Sequence, residues 1–265
     1  MATLHHSLGW QRDLPDHRDL LYSAPLVQLK ALPAKVDLRK GCPPVYNQGH
    51  IGSCTANAIA AAVQFDRRKS KQKPDFVPSR LFIYYNERAI EHTIHYDAGA
   101  QIRDGIKSVA KQGVCPEQEW PYDDTAPPTE NAPFPVRAPA GIKPPAKCYK
   151  DAAKYTAISY QRVVQTLAQM KGCLAEGFPF VFGFTVYEKW YDKLTTVLPL
   201  PSAHEGVVGG HAVLAVGYDD HRQLFTFRNS WGAAAGEKGY FYMPYAYLTD
   251  TSLASDLWTV RGMNS

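Results

Sequence analysis

The chain has 265 residues, with 29 lysine or arginine against 25 aspartate or glutamate for a formal net charge of +4; 45% of residues are hydrophobic and 12% aromatic. That much apolar material excludes a disordered chain and suffices for one large core or two lobes sharing an interface. The balanced charge gives no electrostatic reason for a nucleic-acid partner, and the most apolar run, Phe178 to Tyr187, falls short of the about 20 residues a membrane span needs.

In chain order, residues 1–32 read as a leader: WQRDLPDHRDLLYSAP mixes charge and proline with little periodicity, as an extended segment lying on a body does. The first ten residues lack the basic start and apolar stretch of a secretory signal, which favours the cytoplasm over non-classical export and otherwise leaves the compartment open. Gly49 and Gly52 flank a tight turn, after which Thr55, Ile59 and Val63 recur at helical spacing and predict a buried helix over 54–68. Helices are also predicted over 79–91 and 102–111, the latter stopped by Gly113. From Cys115 to Lys147 the pattern turns irregular, with seven prolines between Ala126 and Pro145, as in a surface excursion or a crossing between lobes. A helix over 164–176 is followed by strands over 180–187, 212–218, 224–229 and 239–243. Helices first and strands second is an α+β arrangement.

Three short segments carry chemistry. In Gln48-Gly49-His50-Ile51-Gly52-Ser53-Cys54, the thiol falls at the first turn of a predicted helix, where unpaired N–H groups and the positive dipole end favour a thiolate. The two glycines let the chain double back, so that the Gln48 amide and the Cys54 N–H form two donors for an oxyanion. Gly209-Gly210-His211 places an imidazole at the entrance to a strand. Asn229-Ser230-Trp231-Gly232 places an amide after the next strand, where its oxygen can hold His211 in one tautomer while Trp231 shields the bond.

This ordered set resembles the papain-like cysteine proteases, most of all their bacterial members, with VDLR ahead of the first motif and GEKGYFYM after the last; the likeness covers about residues 33–245. The resemblance implies Cys54 as nucleophile, His211 as general base and then acid, Asn229 as orienting residue and Gln48 as oxyanion donor. Gly99, Gly210 and Trp231 become the substrate-binding candidates. It also implies a papain-like fold: a helical lobe over 33–157 carrying the nucleophile, an antiparallel β-barrel lobe over 158–265 carrying His211 and Asn229, and a cleft between them. Residues 1–32 then become a short prosegment holding the enzyme latent. Three features depart from the family's motifs: Ile51 stands where a disulfide cysteine often precedes the nucleophile, Thr55 stands where an aromatic usually follows it, and Asp97-Ala98-Gly99 replaces Asn-Gly-Gly.

The function implied is peptide-bond hydrolysis through a thioester, with a peptide or protein substrate, the chain's own N-terminal segment as inhibitor, and a monomer without nucleic-acid or membrane partners. The alternatives are a papain-like acyltransferase or peptide ligase, and a catalytically silent peptide-binding protein. No metal or organic cofactor is expected: His204-Glu205 lacks the second histidine of a zinc motif, and no CxxC occurs. His50, His92, His95, His204 and His221 read as structural. The basic run Arg67–Lys73 reads as a solvated helix end. Cys42, Cys115 and Cys148 leave a disulfide open without fixing its pairing, and Cys173 reads as inert.

Overall fold

The computed structural model describes residues 7–264. The first six residues of the expected leader lie outside them. In chain order the elements are β1 (Trp10–Gln11), β2 (Leu21–Tyr22), α1 (Leu26–Leu29), β3 (Lys35–Asp37), α2 (Cys54–Lys69), α3 (Arg80–Ile90), β4 (Ala100–Gln101), α4 (Ile102–Gln112) and α5 (Ala146–Ala152). They continue with β5 (Ala157–Val163), α6 (Leu167–Ala175), β6 (Phe180–Tyr187), α7 (Glu188–Lys193), β7 (Val207–Asp219), β8 (Leu224–Arg228), β9 (Tyr240–Pro244), α8 (Tyr245–Thr249) and β10 (Ala254–Met263). Helices and an extended sheet thus share one α+β chain. No helix of the described residues is long and apolar enough to cross a membrane.

The main sheet runs β2-β5-β10-β6-β7-β8-β9, with β3 pairing β7. All its pairings are antiparallel except β2 with β5. The expected barrel is not closed, because among the described residues β2 and β9 end the order without pairing to each other.

Side-chain alternation along the strands divides the core in two. On β6, Phe180, Phe182, Phe184 and Val186 enter one cluster, with Val213, Ala215, Phe225, Phe227 and Phe241. Val181 faces the other, which joins Ala212, Leu214, Val216, Trp258 and Val260 to the helices α2 and α4 through Ile59, Val63, Ile102 and Ile106. Because both faces of the central strands are buried, their sequences read as continuous apolar runs rather than alternating ones.

Helix α2 is the axis of the helical part and is buried from Cys54 to Arg67. Alanines at 56, 58, 60, 61 and 62 let its neighbours approach closely. Its C-terminal basic residues are not uniformly solvated as expected. Arg67 is buried, donates to the Pro74 carbonyl at 3.0 Å, and places its guanidinium 4.5 Å from the Phe76 ring and 4.6 Å from the Tyr155 ring. Stacking between two aromatic faces and a carbonyl acceptor offset its desolvation.

The N-terminal region is built into this body. Tyr22 and Ala24 are buried in the second cluster, and β2 pairs with β5. The basic and acidic residues that looked aperiodic in sequence make specific bonds. Arg103 and Asp19 form a buried ion pair at 2.7 Å, and Asp13 accepts from the Trp258 indole at 2.8 Å.

Candidate active site

Gln48 is fully buried, and its amide is held at both ends. The Ser230 hydroxyl donates to Gln48 Oε1 at 2.7 Å, which turns Nε2 outward to donate to the carbonyls of Ile51 and Ser7, each at 3.0 Å. The Gln48 main chain is fixed as well: its N–H donates to the Ser230 carbonyl at 2.8 Å, and the Tyr122 hydroxyl donates to its carbonyl at 2.8 Å. The turn after it is tied by Asp97, whose carboxylate accepts the Gly52 N–H at 3.0 and 2.9 Å and the Tyr84 hydroxyl. The Tyr84 oxygen in turn accepts the Gly99 N–H at 3.3 Å, so the two loops that flank the cleft share one hydrogen-bond network.

Helix α2 begins at Cys54, as the sequence predicts, and Ser53 precedes it without a side-chain capping bond. Across from it, His211 lies on β7 and is fully buried. Its Nε2 is 2.7 Å from Asn229 Oδ1, which also accepts the Ser230 N–H at 2.8 Å. An amide oxygen has no proton to give, so Nε2 is the donor and Nδ1 is the ring atom through which His211 exchanges its proton. Trp231 stacks on the imidazole at 4.7 Å between centroids, and Trp190 stacks behind Trp231 at 5.5 Å. These planes seal the His211–Asn229 bond from water.

The main chain of Ala212, Gly9 and Thr55 lies near enough to the Cys54 sulfur to favour its thiolate. That sets the thiol against the residue following His211. Complete burial pushes the thiol up to about 12 and outweighs the lowering influence of these main-chain groups. The direction is opposite to the lowered value expected from the helix N-terminus alone, and the reason is on the other side of the sulfur: the cleft is covered.

The cover is the chain's own N-terminal segment. β1 pairs in parallel with β4, Trp10 opposite Ala100. The Gly9 N–H donates to the Gly210 carbonyl at 3.0 Å, and the Gly9 carbonyl accepts the Ala100 N–H at 2.8 Å. Two of the three expected substrate contacts, Gly99 and Gly210, therefore border this segment. Gly99 has φ of +68°, and a Cβ there would strike the Gly9 carbonyl oxygen. The Trp10 indole lies flat on Gly183, where any side chain would collide with it. Beside Ser7 and Leu8 a cavity of about 870 Å³ remains, bordered by His50, Asp97 and the excursion residues Pro127 and Glu130.

Set beside known proteins, this arrangement has clear relatives. Residues 32–258 match the sequence model of the papain family cysteine protease. The chain belongs to the papain family of cysteine proteases. A peptidase C1-like protein of Acanthamoeba polyphaga mimivirus is 39% identical, over 98% of this chain and 88% of that one. The crystal structure of xylellain, a cysteine protease from Xylella fastidiosa, superposes with a TM-score of 0.93 at 53% identity, covering 97% of this chain and 96% of xylellain. A procathepsin B from Trypanosoma congolense shares the fold at a TM-score of 0.75 and 17% identity, covering 98% of this chain and 87% of that one. The papain-like α+β fold and a thiol peptidase activity follow from membership.

The papain-family frame makes the departure at Thr55 intelligible. Its hydroxyl donates at 2.6 Å to Glu87 Oε1, a fully buried carboxyl on α3 that burial pushes well above the usual carboxylate range. A small hydroxyl here supplies that acid with a hydrogen-bond donor. Sequence reasoning missed Glu87, Tyr84 and Ser230 as supports of the site. Ser230 stood inside a quoted motif, but its partner Gln48 lies 182 residues away. All five cysteines are free thiols, so none of the disulfides left open is formed.

Proposed function

We propose that the chain hydrolyses peptide bonds through Cys54 and that residues 7–13 keep it latent by occupying the cleft. The observation that carries this reading is the Ser7 carbonyl oxygen, which accepts from Gln48 Nε2 at 3.0 Å beside the start of α2. On this reading the Ser7 carbonyl occupies the Gln48 donor that would hold the developing oxyanion of a scissile bond.

In the open enzyme, Cys54 passes its proton to His211 Nδ1 and the thiolate attacks the substrate carbonyl carbon. Gln48 Nε2 and the Cys54 N–H hold the resulting oxyanion. The imidazolium, oriented by Asn229, gives its proton to the leaving amine as the C–N bond breaks, leaving a thioester. Water then attacks the thioester, His211 takes its proton, and the thiol returns as the carboxylic acid leaves. Gly99 and Gly210 offer a substrate the main-chain surroundings they now give to Gly9, and Trp231 keeps water from the His211–Asn229 bond.

The test is covalent labelling by an epoxysuccinyl thiol-protease inhibitor, located by peptide mass spectrometry. Slow labelling confined to Cys54 in the full chain, and fast labelling when the segment is displaced by substitution at Gly9, are expected. Labelling at another cysteine, or none in either form, would overturn the reading. Products bearing an added amine would assign the acyl-enzyme to a transferase instead.

A further inference from the structure

Outside the cleft, the described residues contain one grouping of side chains with the composition of a metal site. Cys115 Sγ, Cys148 Sγ and a Glu119 carboxylate oxygen all lie within 4.8 Å of one another. We propose that these three residues bind a thiophilic divalent cation of the Zn²⁺ type, with water in the fourth position.

Four observations support the assignment. First, a tetrahedral zinc ion with bonds of about 2.0–2.3 Å places its ligand atoms roughly 3.5–4 Å apart, within the spread seen here. Second, Glu119 Oε2 is buried without a hydrogen-bond donor, beside two thiols that have only weak protons to offer. A cation supplies what that oxygen lacks, whereas a Cys115–Cys148 disulfide would leave it bare. Third, the surroundings are dry and apolar: Phe82, Ala152, Trp120 and Tyr149 pack around both sulfurs. Fourth, the charges close. Two thiolates and one carboxylate around a dication leave one negative charge, and Lys147 Nζ lies 3.4 Å from Glu119 Oε1 to meet it. Asp151, also near Lys147, has its own partner in Lys154 at 2.6 Å.

A cysteine thiol gives up its proton when it becomes a metal ligand. Binding therefore releases both thiol protons to solvent as two metal–sulfur bonds form. Sulfur ligands select zinc-like ions over magnesium or calcium. The place in the fold says what the ion would do. Cys115 opens the proline-rich excursion and Cys148, on α5, closes it, while Ala126, Pro127, Thr129, Glu130 and Asn131 of the excursion border the cavity beside Ser7. A metal at its base pins one wall of the cleft.

The experiment uses the full chain carrying Cys54→Ala, so that the thiol next to His211 cannot contribute, reduced with a phosphine and titrated with Co²⁺ as a spectroscopic stand-in. A one-to-one complex is expected, with sulfur-to-cobalt charge-transfer absorption and the visible bands of a tetrahedral ion, both displaced by Zn²⁺. Cys115→Ser and Cys148→Ser should each abolish the charge-transfer band, and Cys42→Ser should keep it. Glu119→Gln is nearly isosteric and keeps the apolar packing, and it should weaken Co²⁺ binding about 10–100-fold. Three results would overturn the proposal. They are no charge-transfer band on the folded, reduced protein, a band that survives both serine substitutions, and a native mass two hydrogens light with a Cys115–Cys148 cross-linked peptide.

Discussion

The main chains of Gly9 and Gly99 lie against each other with no room for a side chain on either. A Cβ on Gly99 would meet the Gly9 carbonyl oxygen, and one on Gly9 would meet the carbonyl oxygen of Gly52. At this crossing the segment meets the cleft by backbone alone, and any atom added there must push it out. Gly9→Val in the full chain is expected to displace residues 7–11 while leaving Cys54, His211 and Asn229 in place. Overpacking of about 1–3 kcal/mol translates into a rise of roughly ten- to a hundredfold in Cys54 labelling rate. An unchanged rate would mean that the segment does not limit access.

Trp10 is the segment's main apolar anchor, 7% exposed and lying on the bare backbone of Gly183. Its indole N–H is buried without a partner, so shape rather than hydrogen bonding holds it. Truncating a buried tryptophan costs about 3–5 kcal/mol, and much of that should fall on docking. Trp10→Ala is expected to speed hydrogen exchange of the amides from Gly9 to Leu14 by about a hundredfold or more. Gly183→Ala, a change on β6 that leaves the segment's sequence intact, should give the same opening. Slow exchange in either variant would show that the pocket is not the anchor.

Gln48 and Ser230 should be linked in kinetics as they are in space. With the segment displaced by Gly9→Val, Gln48→Ala is expected to lower kcat about 10²–10³-fold, the usual cost of one oxyanion donor. Ser230→Ala frees the Gln48 amide to rotate and should cost a smaller factor, about tenfold. In the double variant the Ser230 effect should vanish, since it acts only through Gln48. Additive losses on peptide substrates would separate the two residues.

Docking of the segment should depend on pH through Asp13. Burial and the charge of Asp256 raise its carboxyl to about 6, against the lowering influence of Arg103 and the Trp258 indole. Arg162 and Asp19 face the same cluster. A docked state that holds a proton more tightly than the released state is favoured at low pH. The contribution is complete below about pH 4 and is lost as pH rises through about 6, by up to roughly a hundredfold. Hydrogen exchange over the segment, corrected for intrinsic rates, should therefore show more opening at about pH 7.5 than at about pH 5, with the difference abolished in Asp13→Asn. The same pH dependence in both proteins would remove Asp13 from the account.

The helices α2, α3 and α4 were legible to within two residues, because Gly52, Ser79 and Gly113 mark their ends and their apolar spacing is regular. The strands β5 and β10 were not read as strands. AISYQRV and ASDLWTVRGM mix polar and charged residues with apolar ones, and they become strands by pairing with each other and, for β10, with β6; Arg162 and Asp256 form an ion pair at 2.8 Å across the first pairing. Strand pairing between residues nearly a hundred positions apart leaves no local mark.

The sequence by itself determined the chemistry on offer. A thiol at a helix start, an imidazole on a strand and an amide after the next one were each set by local turns and glycines within a few residues. Only the tertiary structure decided their state. The leader that looked aperiodic pairs with Ala100 and Gly210 and seats a carbonyl on Gln48, beside a Cys54 whose complete burial pushes its thiol up. Those effects arise from desolvation and from main-chain hydrogen bonds between distant segments, and neither depends on side-chain pattern along the chain.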